Sequence, residues 1–434
     1  MDSHIYQEYV AILSEELVCA MGCTEPASIA YCAAAARDAL GCLPERLRVE
    51  ASANMIKNTK SVVVPGTGGL RGIPAAAAAG AVAGDPAARL QVLEGLTPEQ
   101  VEQISELLRT AQIEVELADT EHLLYVCVTA SAGEHTAVAE IAGTHTNLVR
   151  LERDGAALPR AAAGNADAAQ GGASPATDRG LLSVEGIVQF ADEVTIDDVR
   201  AVLQRQIECN TAIAEAGLHG DYGANIGKIL MKAYGGSVHN RAKAYAAAGS
   251  DARMNGCELP VVINSGSGNQ GITASLPVIV YAEELGVSQE LLYRALVVSN
   301  LVTIHLKTGI GPLSAYCGAT SAGCGAAAGI TYLYGGRVRE ISHTIVNAVA
   351  IDSGMICDGA KSSCAAKIAS AVEAGLLGMQ MQKFDSEFYG GDGIVVKGVE
   401  NTIRNVGDLA SVGMRETDKT ILQLMTGQDP RTAA

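Results

Sequence analysis

Cys317, Cys357 and Cys364 are the residues of this 434-residue chain whose type and spacing point most directly to chemistry. The first lies in Leu313-Ser314-Ala315-Tyr316-Cys317-Gly318, and the other two bracket Asp358-Gly359-Ala360-Lys361-Ser362-Ser363. Three thiolates with no equivalent fourth suit an iron–sulfur cluster in which one iron stays open to act as a Lewis acid. The plain alternative is that each is a small buried hydrophobe, the usual fate of a free cysteine on an alanine- and glycine-rich helix. Their setting favours ligation. Asp358-Gly359 forms a turn, and Lys361 to Cys364 opens the next helix, where unpaired N–H groups favour a thiolate. Zinc would ask for a fourth ligand or for histidine, and neither loop contains one. His343, the nearest in sequence, has a mid-helical Ser-His-Thr setting.

A second candidate is Cys23, in Met21-Gly22-Cys23-Thr24-Glu25-Pro26. Gly22 and Pro26 break the helical pattern here, so two helices are expected to meet at this motif. Cys23 either packs at the junction or, as a thiol at a broken helix, has a lowered pKa and serves as base or nucleophile. Glu25 is placed to orient a substrate amine. A third candidate is the run Asn264-Ser265-Gly266-Ser267-Gly268-Asn269-Gln270-Gly271, between a strand-like segment and an apolar helix. Its glycines let backbone approach a ligand, and N–H groups at a helix start bind carboxylate or phosphate. It lacks the Gly-Lys-Ser/Thr ending of a P-loop.

Pro65 to Gly72 is another glycine loop, without dinucleotide-binding spacing, and serves as a turn or as a small-anion site with Arg71. His145 sits between Thr144 and Thr146 in a polar stretch that fits either a structural role or a pocket wall. Cys19, Cys32, Cys42, Cys127, Cys209, Cys257 and Cys324 read as packing residues.

These groups need elements to hold them. A helical pattern covers Gln7 to Leu40. Strand-like runs follow at Leu47 to Ala53, Ser61 to Val64, Glu114 to Leu117, Leu123 to Thr129 and His135 to Ile141, with helices at Ile73 to Ala83 and Pro98 to Thr110. Asp154 to Asp178 holds little to bury and reads as a linker or exposed loop. From Leu181 onward the chain reads as helix, with a strand at Leu259 to Asn264. The fold class is therefore α+β. Residues 1–42 are expected to form N-terminal helices packed on the catalytic domain. Residues 43–153 form a smaller inserted α+β domain, 154–180 a linker, and 181–434 a mostly helical catalytic domain.

The formal net charge of −17 argues against nucleic acid and anionic membrane surfaces as partners. Small amino acids remain compatible with it. No run approaches the ~18 consecutive apolar residues of a membrane span. The acidic N-terminus does not read as a secretory signal, and eleven cysteines then imply a reducing cytoplasm.

On these residues the chain resembles the L-cysteine desulfidase family and its uncharacterised bacterial relatives. The resemblance covers almost the whole length. It rests on Gly22 to Pro26, Val64-Pro65-Gly66-Thr67, Asn264 to Gly271, Leu313 to Gly318, and Cys357 to Lys361 with Cys364. The C-terminal half is more distantly similar to the α region of iron–sulfur L-serine dehydratases. The resemblance implies a 4Fe–4S cluster held by Cys317, Cys357 and Cys364, with Cys23 as proton acceptor and no pyridoxal phosphate. The implied reaction converts L-cysteine and water to pyruvate, ammonia and hydrogen sulfide.

In that mechanism Asn264, Ser265, Ser267, Asn269 and His145 are the expected substrate-binding residues, with Glu25 beside Cys23. Cys23 can act only if the N-terminal helices reach the C-terminal domain. The spacing between Cys357 and Cys364 is shorter than in the serine enzymes, which favours sulfide over hydroxide as leaving group. Serine dehydration on the same scaffold and a non-catalytic cysteine or iron sensor are the competing readings. A thiol-redox role is disfavoured because no CxxC pair is present. A homodimer is the default assembly.

Overall fold

The computed structural model describes residues 1–159 and 177–427, so most of the segment expected to be a linker lies outside the described residues. Helix α1 (Ser3–Glu16) starts at Asp2, whose side chain accepts from the His4 N–H, and buries Tyr9, Ile12 and Leu13 on one face. A short strand, β1 (Cys19–Met21), leads to α2 (Thr24–Leu40), which ends at Gly41 in the left-handed conformation. Strand β2 (Arg46–Ala51), helices α3 (Ala53–Thr59), α4 (Gly72–Ala83) and α5 (Pro98–Thr110), and strand β3 (Gln112–Leu117) follow. Then come β4 (Tyr125–Ala132), β5 (His135–Ala142), β6 (Leu148–Arg153) and β7 (Ala156–Ala157).

Strands β2 to β7 form one sheet in the order β3-β2-β4-β5-β6-β7, with β2 and β3 parallel and the other pairs antiparallel. Alternate residues Leu47, Val49, Ala51, Val126, Val128 and Ala130 point into a core shared with α2 and α4. Those two helices are rich in alanine, so they can touch backbone to backbone. A Cβ on Gly80 would lie 2.1 Å from the Ala30 carbonyl oxygen.

The second core is helical. It comprises α6 (Val184–Glu193), α7 (Ile196–His219), α8 (Ile226–Tyr234), α9 (Val238–Met254), strand β8 (Pro260–Val262), α10 (Gly268–Leu285) and α11 (Gln289–Ile310). It continues with α12 (Gly318–Leu333), α13 (Val338–Asp352), α14 (Cys364–Lys383), α15 (Val399–Asp408) and α16 (Arg415–Thr426). Helix α12 is buried along its whole length and packs against α10, α11, α13 and α14. Small residues permit this: a Cβ on Gly325 would sit 2.1 Å from Thr303 Oγ1. No helix among the described residues is long and apolar enough to cross a membrane.

Three expectations are corrected. The chain before Gly22 does not run helix to helix, because Cys19–Met21 pairs antiparallel with Pro260–Val262 and is held as a strand. Residues 1–42 do not act as one unit. Helix α1 packs on α7 and α11, whereas α2 joins the sheet core, its alanines fitting the close approach of α4. Residues 61–64 form no strand; only Val63 pairs, with Arg71, and α3 occupies the chain just before.

Candidate active site

The two cores meet at a seam, and the candidate residues lie along it. Tyr316 and Ile356 form an antiparallel bridge, with the Cys317 N–H donating to Met355 O at 3.0 Å and the Cys357 N–H to Ala315 O at 2.6 Å. Two cysteines distant in sequence are thus held on one backbone clasp. Cys317 is the residue before α12 and Cys364 the first of α14, so two helix N-termini face the same space. Between Cys357 and Cys364 the chain turns at Gly359, where φ is +95° and a Cβ would come 2.3 Å from Lys57 O. Only glycine fits that approach to α3. Asp358 pairs with Lys361 and Lys367, and although burial would raise its pKa, these two cations bring it down to about 2.

Two of the thiols, Cys317 and Cys364, hold their protons tightly. Burial, and then the neighbouring Cys357, push Cys317 up to about 12, and burial likewise raises Cys364. Lys307 lines the same space, and burial lowers it to about 8 against the pull of Cys357 and Cys317.

Cys23 lines the same cavity. Gly22 before it has φ +63°, and a Cβ there would overlap Pro65 Cγ at 2.0 Å, so the entry to α2 requires glycine. The Cys23 thiol donates to Glu25 Oε2 at 3.5 Å, and Asn58 Nδ2 donates to Glu25 Oε1 at 2.8 Å. Thr24 Oγ1 bridges Glu25 Oε2 and Gly266 O, each at 3.0 Å. Burial alone would raise the Glu25 pKa; His145, the backbone, Asn58 and Arg253 outweigh it and keep the carboxylate ionised. Burial and that carboxylate together push Cys23 far up, which reverses the expected lowering. Desolvation and a facing negative charge overcome the helix start.

The Asn264 turn closes on itself, with the Ser267 N–H donating to Asn264 O at 3.0 Å and Ser265 at φ +49°. Asn264 is fully buried, and its Nδ2 donates to Asn300 Oδ1 at 2.9 Å. It supports the turn and does not reach the cavity, which corrects its expected role in substrate binding. Ser28 Oγ donates to His145 O at 2.7 Å, and this holds the His145 ring against Gly266. Burial lowers the His145 pKa.

One cavity of about 110 Å³ collects Cys23, Glu25, His145, Ser265, Ser267, Asn269 and all three of Cys317, Cys357 and Cys364. Cys23 and Cys364 also pack in a single small apolar cluster with Val62 and Met254. A second cavity of about 380 Å³ adjoins it at His145, Ser265 and Lys307. Sequence reasoning did not single out four further lining residues: Asn58, Arg253, Gln270 and Lys307. Gln270 lay inside the quoted loop. Arg253, in Ala252-Arg253-Met254-Asn255, was readable only as a lone cation at the end of an alanine-rich helix.

Residues 87–423 match the model of the serine dehydratase alpha chain. This chain belongs to that family. It is 57% identical to a UPF0597 protein of Desulfitobacterium hafniense, over 98% of this chain and 97% of the relative. A UPF0597 protein of Lachnoclostridium phytofermentans is 49% identical over 97% and 100% of the two chains, and one of Treponema denticola 44% over 98% and 99%. The family match includes the cysteine clasp and the Asn264 turn, while Cys23 and Asn58 precede it.

Membership in a serine dehydratase family makes the donor set of this cavity worth testing against a cluster. Among the described residues no three His, Cys, Asp or Glu side chains converge closely enough for a single ion. A cluster core spaces its ligands more widely, because the iron and sulfide atoms stand between them. Three cysteines lining one cavity, two of them at helix N-termini, supply the thiolate donors that a cluster takes.

Proposed function

We propose that this chain is an iron–sulfur L-cysteine desulfidase, releasing sulfide by β-elimination. The observation carrying this reading is that Cys23, bonded to ionised Glu25, shares one small cavity with Cys317, Cys357 and Cys364. These three cysteines would hold a 4Fe–4S cluster, which when bound supplies a Lewis-acidic iron to the leaving sulfur. The protein's own residues manage the proton. Glu25 is the only carboxylate bonded to the Cys23 thiol among the described residues, so as Cys23 removes the substrate Cα proton its own thiol proton passes to Glu25 in the same step. Asn58 and Thr24 fix the Glu25 carboxylate in place for that transfer. The Cα–H and Cβ–S bonds break, the electron pair of the latter leaves with sulfide, and aminoacrylate remains. Tautomerisation to the imine and addition of water then give pyruvate and ammonia.

Burial excludes bulk water from this step, since Cys23 and Glu25 are 4% and 7% exposed. The apolar contact of Cys23, Met254 and Cys364 suits a thiol-bearing substrate better than a hydroxyl that would need partners. Dehydration of L-serine is the second reading, and the family match favours it. Anaerobically purified, iron-loaded protein decides between them. The expected result is a kcat/KM for sulfide release from L-cysteine at least about tenfold above that for pyruvate formation from L-serine. The reverse ratio would overturn the assignment.

A further inference from the structure

Polar atoms without partners converge on the cavity from several elements. Arg253, at the C-terminal end of α9, is 1% exposed, and its Nε and Nη2 have no hydrogen-bond partner. It lines the cavity that holds Cys23 and the three clustered cysteines. The fold makes room for it: a Cβ on Gly268 would lie 2.2 Å from Arg253 Nε, so only glycine lets the guanidinium lie against the start of α10. A buried cation whose donors are unspent destabilises the fold unless something arrives to pair with it.

The same cavity carries unspent acceptors. Asn58 Oδ1, Asn269 Oδ1 and Gln270 Oε1 are buried and have no partner. Two of these amides have their orientation set by their other end. Asn58 Nδ2 donates to Glu25 Oε1 at 2.8 Å, and Asn269 Nδ2 to Met254 Sδ at 3.5 Å. The carbonyl oxygens are therefore the ends left for a ligand. His145 Nε2 is also unpartnered there.

We infer that Arg253 anchors the α-carboxylate of the ligand, while Asn58, Asn269 and Gln270 receive its α-ammonium. A planar guanidinium pairs with a carboxylate through two parallel N–H bonds, and an ammonium offers three donors to amide oxygens. A free α-amino acid supplies both groups on one carbon. The ligand class is thus a small zwitterionic α-amino acid, and amino-acid amides and peptide-linked residues are excluded. The inference shifts the carboxylate cradle from the Asn264 turn to α9. It rests on reading the cavity as an amino-acid site, but on neither the cluster nor the leaving group.

Binding without turnover tests it, using L-alanine, L-alaninamide and the full chain in calorimetry. Wild type is expected to bind L-alanine at least about 100-fold more tightly than L-alaninamide, since the amide leaves Arg253 unpaired. Arg253→Met should lose that discrimination, and Arg253→Lys should keep part of it. With L-cysteine, Arg253→Met should raise KM at least about 100-fold while kcat changes by less than about tenfold. Ligand-free Arg253→Met should melt close to wild type, because it removes a buried cation that makes no hydrogen bond through Nε or Nη2 while also withdrawing its field from Glu25. A clear fall in its melting temperature would mark Arg253 as structural and overturn the inference, as would equal binding of L-alanine and L-alaninamide by wild type. Selective L-alanine binding by a protein inactive on L-cysteine would uphold the cradle and reject the desulfidase reading.

Discussion

Four cysteines line one cavity, and the charged groups beside them differ in sign between its two rims. On one rim, Cys317, Cys357 and Cys364 sit near Lys307, Lys361 and Lys367, with Cys317 and Cys364 at the starts of two helices. On the other, Cys23 faces an ionised carboxylate that Asn58 and Thr24 hold still. Cations and helix N-termini favour sulfur that gives up its proton to a metal, whereas a facing carboxylate favours sulfur that keeps a proton to exchange. Burial raises Cys23, Cys317 and Cys364 alike, so the sign of the neighbouring charge is what separates the proposed ligands from the proposed base.

Substitutions should separate the rims. The largest effect is expected from Cys317→Ser, Cys357→Ser or Cys364→Ser, each abolishing iron and acid-labile sulfide loading and lowering turnover by about 10³-fold or more. Iron analysis on anaerobic protein checks this, and a fully loaded Cys357→Ser protein would contradict the proposed ligand set. Cys23→Ala should load iron normally yet lose roughly 10² to 10⁴ in kcat, the usual contribution of a general base. If Cys23→Ala also lost iron, the two rims would not be functionally distinct.

Gly22→Ala is expected to disturb only the Cys23 rim. Its Cβ would meet Pro65 at 2.0 Å in a left-handed backbone, so a loss of about 2–4 kcal/mol is expected by denaturant titration.

The smallest effect concerns Asp251, on the helix that carries Arg253, whose carboxyl burial raises to about 6. Folding then takes up a proton between the ordinary carboxylate range and pH 6, so this residue's contribution falls as pH rises through that window. Asp251→Asn keeps an acceptor for the Gly227 N–H, 3.0 Å away, and should add roughly 1–2 kcal/mol at pH 8 but nothing at pH 4. Melting curves at the two pH values measure it.

Much of this was legible from the chain itself. Local signals carry local structure: the helical run from Pro98 to Thr110 is α5, the strand-like runs at Leu47 to Ala53, Leu123 to Thr129 and His135 to Ile141 fall on β2, β4 and β5, and the glycine loop before Ile272 leads into α10. Residue type and spacing likewise singled out Cys317, Cys357, Cys364, Cys23 and Glu25, which one cavity does bring together. The helix α3 was missed because Asn54 to Asn58 has little helical patterning and is buried by tertiary contact. Strand β1 was missed because its partner lies in β8, far along the chain.

Other properties belong only to the assembled molecule. Asn264 looked free in sequence, yet burial commits it to Asn300. Arg253 looked ordinary, yet folding buries it with donors unspent. Cys23 was expected to ionise easily, and instead its burial at the seam of two cores, and then a carboxylate two residues away, push its pKa far up. Sequence determines which groups are available and how the nearby backbone bends, because those depend on neighbours in the chain. Whether a group is desolvated, paired or left waiting depends on residues brought from hundreds of positions away, and the tertiary structure alone decides it.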